Sequence, residues 1–367
     1  NNYYDIISMS YLFLSCTEKI LYKVSVIRRI KHASTATCTL PIYMGFLMTE
    51  PNSISCTQLA ETYNISHDSV NRFLEREDYT PHDRYQEAIQ HIDNNKLIVS
   101  IDDTVLDKPY SQHMDLVSYF WSGKHHRSVK GINLITLYAT DQNGQNIPIN
   151  FRIYDKSEGK TKNDYFMDML SEVLSWGAKI QFITGDSWYS STENLKTIRK
   201  YGIRFMFGVD SNRKVSPEKG QWFQLRLLPN FHQGQVVWLK DFGFVQLFKT
   251  QLKEQQRFYI VHQDEDDLLS FEGFHELHSS HWKIEQYHRV IKQVCHIEKF
   301  QVRRSKLILN HIFSALMAYV EIQKNQFERI FENVYRWQKK LFRPMIKNFI
   351  DDFILDKNHL LPQRIYK

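Results

Sequence analysis

Between residues 96 and 210, apolar runs and amphipathic stretches follow one another in an order that few folds accept. Lys96–Ile101 is a continuous apolar run of the kind a buried strand needs. Ile132–Thr140 and Ile147–Tyr154 flank Asp141-Gln142-Asn143-Gly144, a turn sequence that joins them as a hairpin. Asn163–Trp176 carries Phe166, Met167, Leu170, Val173 and Leu174 at helical spacing. Ile180–Thr184 is again strand-like, Thr192–Tyr201 helical, and Ile203–Val209 a fifth strand.

Three strands, helix, strand, helix, strand is the chain order of an α/β domain of the RNase H-like type, with a mixed five-stranded sheet and flanking helices. Two acids stand at strand ends. Asp102 follows the first strand and Asp186 the fourth. A sheet covered on both faces offers its reactive groups there, because the strand interiors are packed. A lone Asp at such a place is ordinarily a turn or cap residue. Carboxylates from two strands and a nearby helix, by contrast, suit two hard divalent cations. Asp103 is adjacent, and strand alternation turns only one of Asp102 and Asp103 toward such a site.

The helix that could bring a third acid is His281–Lys292. Read as a helix, it aligns Trp282, Glu285, Arg289 and Lys292 on one stripe and Ile284, Tyr287 and Ile291 on a core-facing one. Glu285 between cations is either a structural ion pair or a metal ligand.

Upstream, Cys56–Phe73 reads as two short helices joined by a tight turn. Ala60 is small where they cross, Asn64 suits a left-handed turn, and Ser66 suits an N-cap. This is a helix-turn-helix pattern at about 56–76, with His67, Ser69, Asn71, Arg72 and Arg76 expected on the recognition face. Plain helical packing is the alternative.

Charge points the same way. From Gln286 to Lys367 there are 16 Lys and Arg against 7 Asp and Glu; this surplus of nine within a total of +6 leaves −3 for the rest. A basic segment on a near-neutral body suits a polyanion. The four cysteines show no paired spacing, so neither a disulfide framework nor a cysteine zinc site is expected, and a reducing cytoplasm fits. Five histidines between His275 and His296 lack a zinc-site pattern. Ile6–Cys16 is too short for a signal peptide or span, and Ser305–Gln323 too interrupted, so no membrane role is expected.

Asp102-Asp103-Thr104, Thr184-Gly185-Asp186 and Trp282-Lys283-Ile284-Glu285, with Lys292 following, resemble the three acidic motifs of bacterial insertion-sequence transposases. The group is the cut-and-paste DDE kind with a Tyr-x2-Arg-x3-Glu-x6-Lys signature. The resemblance spans roughly residues 55–325. It implies Asp102, Asp186 and Glu285 as catalytic acids holding two Mg2+ or Mn2+ ions, with Asp103 as alternate for Asp102. The signature Tyr and Arg are His278 and His281 here, which could still donate to phosphate. The partners it implies are transposon-end and target DNA, with a homodimer on DNA, no small-molecule cofactor, and a place on the bacterial nucleoid.

Domain boundaries follow from these readings. Residues 1–95 form a helical DNA-binding domain, 96–210 and 273–325 the two parts of the catalytic core, 211–272 a β insertion, and 326–367 a basic helical segment. Trp188, Trp222 and Trp238 are candidates for stacking on a base, or are core residues. Lys124, His125, His126, Arg127 and Lys130 form a basic loop before the second strand that could guide phosphates, as could Arg289 and Lys292. A nuclease or resolvase with the same acids, and a DNA-binding protein with a decayed site, remain alternatives.

Overall fold

The computed structural model describes residues 37–50, 55–123, 125–252, 255–262, 267–328, 333–338 and 347. Glu18–Arg29, whose sequence could form a helix with a basic end, and most of the basic C-terminal segment lie outside them.

Strand β1 (Leu97–Asp107) is the centre of the site-bearing sheet. It runs antiparallel to β3 (Arg127–Thr140) and parallel to β5 (Ile180–Gly185), which is in turn parallel to β6 (Arg204–Val209). β3 turns back into β4 (Asn146–Ile153) through the expected hairpin turn. There Asp141 Oδ1 accepts from the Asn143 and Gln145 amides, and Gly144 takes φ 79°. A further short strand, β2 (Ser118–Ser122), pairs with the first residues of β3. Residues 127–130, expected as loop, are therefore strand.

The sheet does not stop at five strands. The insertion contributes β7 (Lys214–Ser216), β8 (Phe223–Gln224), β9 (Gln235–Leu239), β10 (Gly243–Leu252) and β11 (Gln255–His262). β11 pairs antiparallel with β6, giving one eleven-stranded sheet in the order β2-β3-β1-β5-β6-β11-β10-β9-β7-β8, with β4 on β3. The physical reason is the edge of β6, whose open amides and carbonyls β11 satisfies.

Helices cover both faces. On one, α4 (Pro81–Ala88), α5 (Lys162–Ser175) and α6 (Thr192–Lys200) bring Tyr85, Phe166, Leu170, Leu195 and Ile198 against Val99, Ile101 and Phe207. On the other, α7 (Phe271–Gln293) and α8 (Ser305–Phe327) bury Ile284, Tyr287, Ile291, Ile308 and Leu316 with Leu134 and Tyr138. The expected core stripe of α7 is thus buried. No helix among the described residues is long and apolar enough to cross a membrane.

α1 (Leu40–Thr49), α2 (Cys56–Tyr63) and α3 (His67–Arg76) share that second core. Asn310 on α8 donates to the Leu74 and Glu77 carbonyls, at 2.7 Å each, and Tyr43 bonds His311 at 2.8 Å. α2 and α3 meet as the pattern predicts, with Asn64 at φ 50° and Ser66 accepting from the Asp68 amide. One expectation fails. Ser69 faces inward at 2% exposure, its Oγ accepting from the Thr37 and Cys38 amides at 2.7 and 3.0 Å.

Candidate active site

The parallel register of β1 and β5 pairs Ser100 with Thr184 and Ile101 with Gly185. The next residue in each case is an aspartate, so Asp102 and Asp186 lie side by side where β5 ends. Asp102, expected just after the first strand, is instead inside β1, which stays paired with β3 to Asp107. Gly185 is needed for this approach. A Cβ there would lie 2.5 Å from the Phe207 ring and 2.7 Å from Ile101. Asp186 then caps a one-turn helix, Ser187–Tyr189, by accepting from the Trp188 amide at 3.0 Å.

Alternation separates Asp102 from Asp103. Asp102 faces α7, with its Oδ2 3.5 Å from His288 Nδ1 and its Oδ1 accepting from the Asp103 amide. Asp103 points to the other face and is fully engaged. It accepts from Asn133 Nδ2 at 2.6 Å, Lys162 Nζ at 2.7 Å and the Tyr189 hydroxyl at 2.9 Å.

Glu285 projects from α7, with His281 one turn before it and His288 one turn after, all on one stripe. His281 Nδ1 lies 3.2 Å from Thr184 Oγ1, which bonds Ser100 at 2.8 Å. The expected stripe of Trp282, Glu285, Arg289 and Lys292 is divided. Trp282 and Arg289 are exposed, whereas Lys292 Nζ turns inward to the Val105 carbonyl at 2.6 Å. His278 Nε2 meets the Tyr259 hydroxyl at 3.0 Å.

Electrostatics bind the acids into one unit. Burial first, then the charges of Asp186, Asp103 and Glu285, hold the Asp102 carboxyl well above the usual carboxylate range. Desolvation by the surrounding protein, then Asp103, pushes Asp186 up to about 6, although its side chain opens to solvent. Burial also raises Glu285, opposed by Arg257 and Arg289. Burial lowers the imidazoles instead, His288 to about 3 and His281 to about 4. His281 and His278 are therefore poor candidates for the protonated phosphate donors expected at the signature positions. Their rings are desolvated and already partnered.

Like charges that raise one another signal a place that gains from added positive charge. The donors are carboxylate oxygens, which suit Mg2+ or Mn2+. Among the described residues no three acid, His or Cys side chains converge tightly enough to enclose one ion. Mg2+ commonly takes one or two carboxylates and fills its remaining positions with water and substrate phosphate, so Asp102, Asp186 and Glu285 still fit that role.

Several side chains at the candidate site escaped the sequence reading. Tyr189 and His288 stand three residues after Asp186 and Glu285, a spacing that could have flagged them. Lys162, Asn133 and Arg257 come from elements that only tertiary structure brings here. Among the other expected DNA contacts, His67 and Arg72 are exposed and Asn71 is half-buried, while Arg76 pairs with Glu77. His126 and Arg127 are exposed, His125 lies 3.2 Å from Asp107, and Lys130 donates to the Ser111 carbonyl. Lys124 lies outside the described residues. Trp188, Trp222 and Trp238 are exposed by 60%, 44% and 42%, so none is a core tryptophan.

A family model described as a transposase DDE domain matches residues 93–320. No curated protein sequence matches the chain. Among solved structures it is similar to a piggyBac transposase synaptic complex with hairpin DNA. That match has 13% identity and a TM-score of 0.47, and covers 96% of this chain and 83% of that one. It is also similar to Marinitoga piezophila Argonaute with 5′ OH guide RNA and target DNA, at 11% identity, 61% and 29% coverage and a TM-score of 0.21.

Proposed function

The chain belongs to the DDE transposase family, and on that premise we propose that it cuts DNA at the ends of an insertion sequence and joins those ends to target DNA. Enzymes of this family cleave and transfer DNA strands with divalent metal ions. The observation that carries the finer reading is the β1–β5 register, which sets Asp102 beside Asp186, with Glu285 acting on Asp102 from α7.

In this reading Asp102, Asp186 and Glu285 hold Mg2+ or Mn2+, two ions per site, which when bound supply charge neutralisation and a more acidic attacking water or 3′-hydroxyl. His288 borders Asp102 as a neutral imidazole and limits where its carboxylate can swing. Asp103, with Lys162, Asn133 and Tyr189, fixes the spacing between β1 and the end of β5 and is not itself a ligand. Arg257 and Arg289 are the cations that offset the charge of Glu285 and of an arriving phosphate.

The strand order around β1 supports an RNase H-like core formed by residues 96–210 and 273–325, interrupted by the insertion at 211–272. The α2–α3 pair, with His67, Asn71 and Arg72 outward, acts as a helix-turn-helix within residues 1–95 and reads the element end. Two ends are cut together, so the working form is a homodimer on DNA, in the bacterial cytoplasm and without a small-molecule cofactor.

The test is incubation of the protein with DNA bearing the element's ends, with Mg2+ or EDTA, and mapping of nicks at single-nucleotide resolution. Metal-dependent nicks at the element boundary are expected, and Asp186→Asn should abolish them while leaving end binding intact. Nicks scattered without regard to the boundary would reduce the protein to a nuclease.

A further inference from the structure

The β2–β3 hairpin carries, beside its basic tip, an exposed aromatic pair. Tyr119 and Trp121 are 63% and 67% exposed, while Phe120 and Ser122 between and after them are buried. Alternation along β2 therefore sets both aromatics on one outward face. Their partners across the hairpin, Lys130 and Ser128, share that face. The hairpin is not loosely attached. Lys156 donates to the Tyr119 carbonyl at 2.8 Å, and its Nζ lies 4.8 Å from the Phe120 ring centroid.

Two further facts say what such a face would meet. Residues 118–131 contain Lys124, Arg127 and Lys130 and no Asp or Glu, and His125 and His126 add two exposed imidazoles at the tip. This is the charge complement of a polyanion. The hairpin also continues the strand that flanks Asp102. Asp102 pairs with Thr136 on β3, Tyr119 with Lys130 and Trp121 with Ser128. At about 3.3 Å per residue, the two aromatics lie roughly 20 and 26 Å beyond Asp102. A duplex rising about 3.4 Å per base pair covers that distance in six to eight pairs.

We propose that the outward face of the β2–β3 hairpin docks the duplex DNA flanking the scissile bond, with Tyr119 and Trp121 packing on its sugars beside Lys130, the cation that shares their face. This rests on the reading of Asp102, Asp186 and Glu285 as the site of DNA cleavage. A substrate whose phosphate reaches those acids must continue past them, and the hairpin is the cationic, aromatic surface on the line of β1 and β3.

The test compares element-end duplexes with the flank kept to about twelve base pairs, past the hairpin, or cut back to about two, short of it. The full chain should bind the long-flank duplex about tenfold more tightly than the short one. The Tyr119→Ala/Trp121→Ala double variant should lose that increment, bind the short-flank duplex like wild type, and melt like wild type. Phe at both positions should restore most of it. Equal weakening on both duplexes, or retention of the increment by the Ala variant, overturns the proposal. So does a variant that loses only capture of a separate target duplex by pre-cut ends, since the face would then serve target DNA. Failure of the wild type to bind even the short-flank end would overturn the transposase reading, and this proposal with it.

Discussion

The Tyr189 hydroxyl donates to Asp103 across 2.9 Å and so ties the turn after Asp186 to the strand that carries Asp102. The adjacent aspartates thus divide the work. One is oriented toward Glu285 and α7, and the other is consumed in holding the first in place.

The two should separate on substitution. Asp102→Asn is expected to abolish metal-dependent cleavage with little change in stability, because its carboxylate is held above the usual range by its neighbours. Asp103→Asn removes a charged acceptor from three donors and should cost about 2–3 kcal/mol. Denaturant melts beside single-turnover cleavage decide between them. A stable but inactive Asp103→Asn protein, with an active Asp102→Asn one, would exchange their roles.

Salt dependence should distinguish the two cations of α7. Arg289 is exposed and acts on Glu285, whereas Lys292 is spent on the Val105 carbonyl and lies 3.9 Å from Glu298. Arg289→Ala should reduce the salt slope of DNA binding by about one. Lys292→Met should leave the slope unchanged and lower the melting temperature. A lowered slope for Lys292→Met would place that side chain on the DNA after all.

On α3 the expected outcomes also split. Arg72→Ala should weaken binding to the element end by about 1–3 kcal/mol relative to unrelated DNA. Ser69→Ala strands the Thr37 and Cys38 amides and should cost about 1–2 kcal/mol of stability without altering sequence preference. Competition binding and thermal melts on both variants test this pair.

Lys108 predicts a pH dependence of stability. Its ammonium is buried between the Glu298 and Phe300 carbonyls at 2.7 and 2.6 Å, 3.4 Å from the Phe300 ring centroid, and burial pulls its pKa down to about 7. A base whose folded pKa is below its unfolded value carries a penalty at low pH. That penalty is full below about pH 7 and is relieved as pH rises toward the unfolded value near 10.4. Wild-type stability minus that of Lys108→Met should therefore increase across this window in urea melts at several pH values. A flat difference would mean the two carbonyls hold the charge without penalty.

Periodicity and turn chemistry were enough to place β1, β3–β6, the α5 and α6 helices and the buried stripe of α7, because each is a local pattern. Asp102, Asp186 and Glu285 were legible as candidates because their motifs share a spacing with a known family; that β1 runs on through Asp102 to Asp107 was not. What stayed hidden depends on which side a residue turns once packed. Ser69 looked like a contact residue until Thr37 and Cys38 claimed its hydroxyl. Lys292 looked like a phosphate ligand until a strand carbonyl took it. Lys162 and Arg257 carry no local signal at all, since their partners are 59 residues away for Lys162 and on another element for Arg257.

The pairing of β11 with β6 makes the insertion a poor candidate for a removable module. A shortened chain that bridged from Val209 to Ser270 would strip β6 of its neighbour and leave Phe205, Phe207 and Val209 on a bare strand margin. Such margins recruit other chains, so the truncated protein should self-associate before it loses any specific contact with DNA. The same ladder leaves no hinge at this junction. A load applied to the insertion by bound DNA would pass along backbone hydrogen bonds into β5, and through it to the position of Asp186.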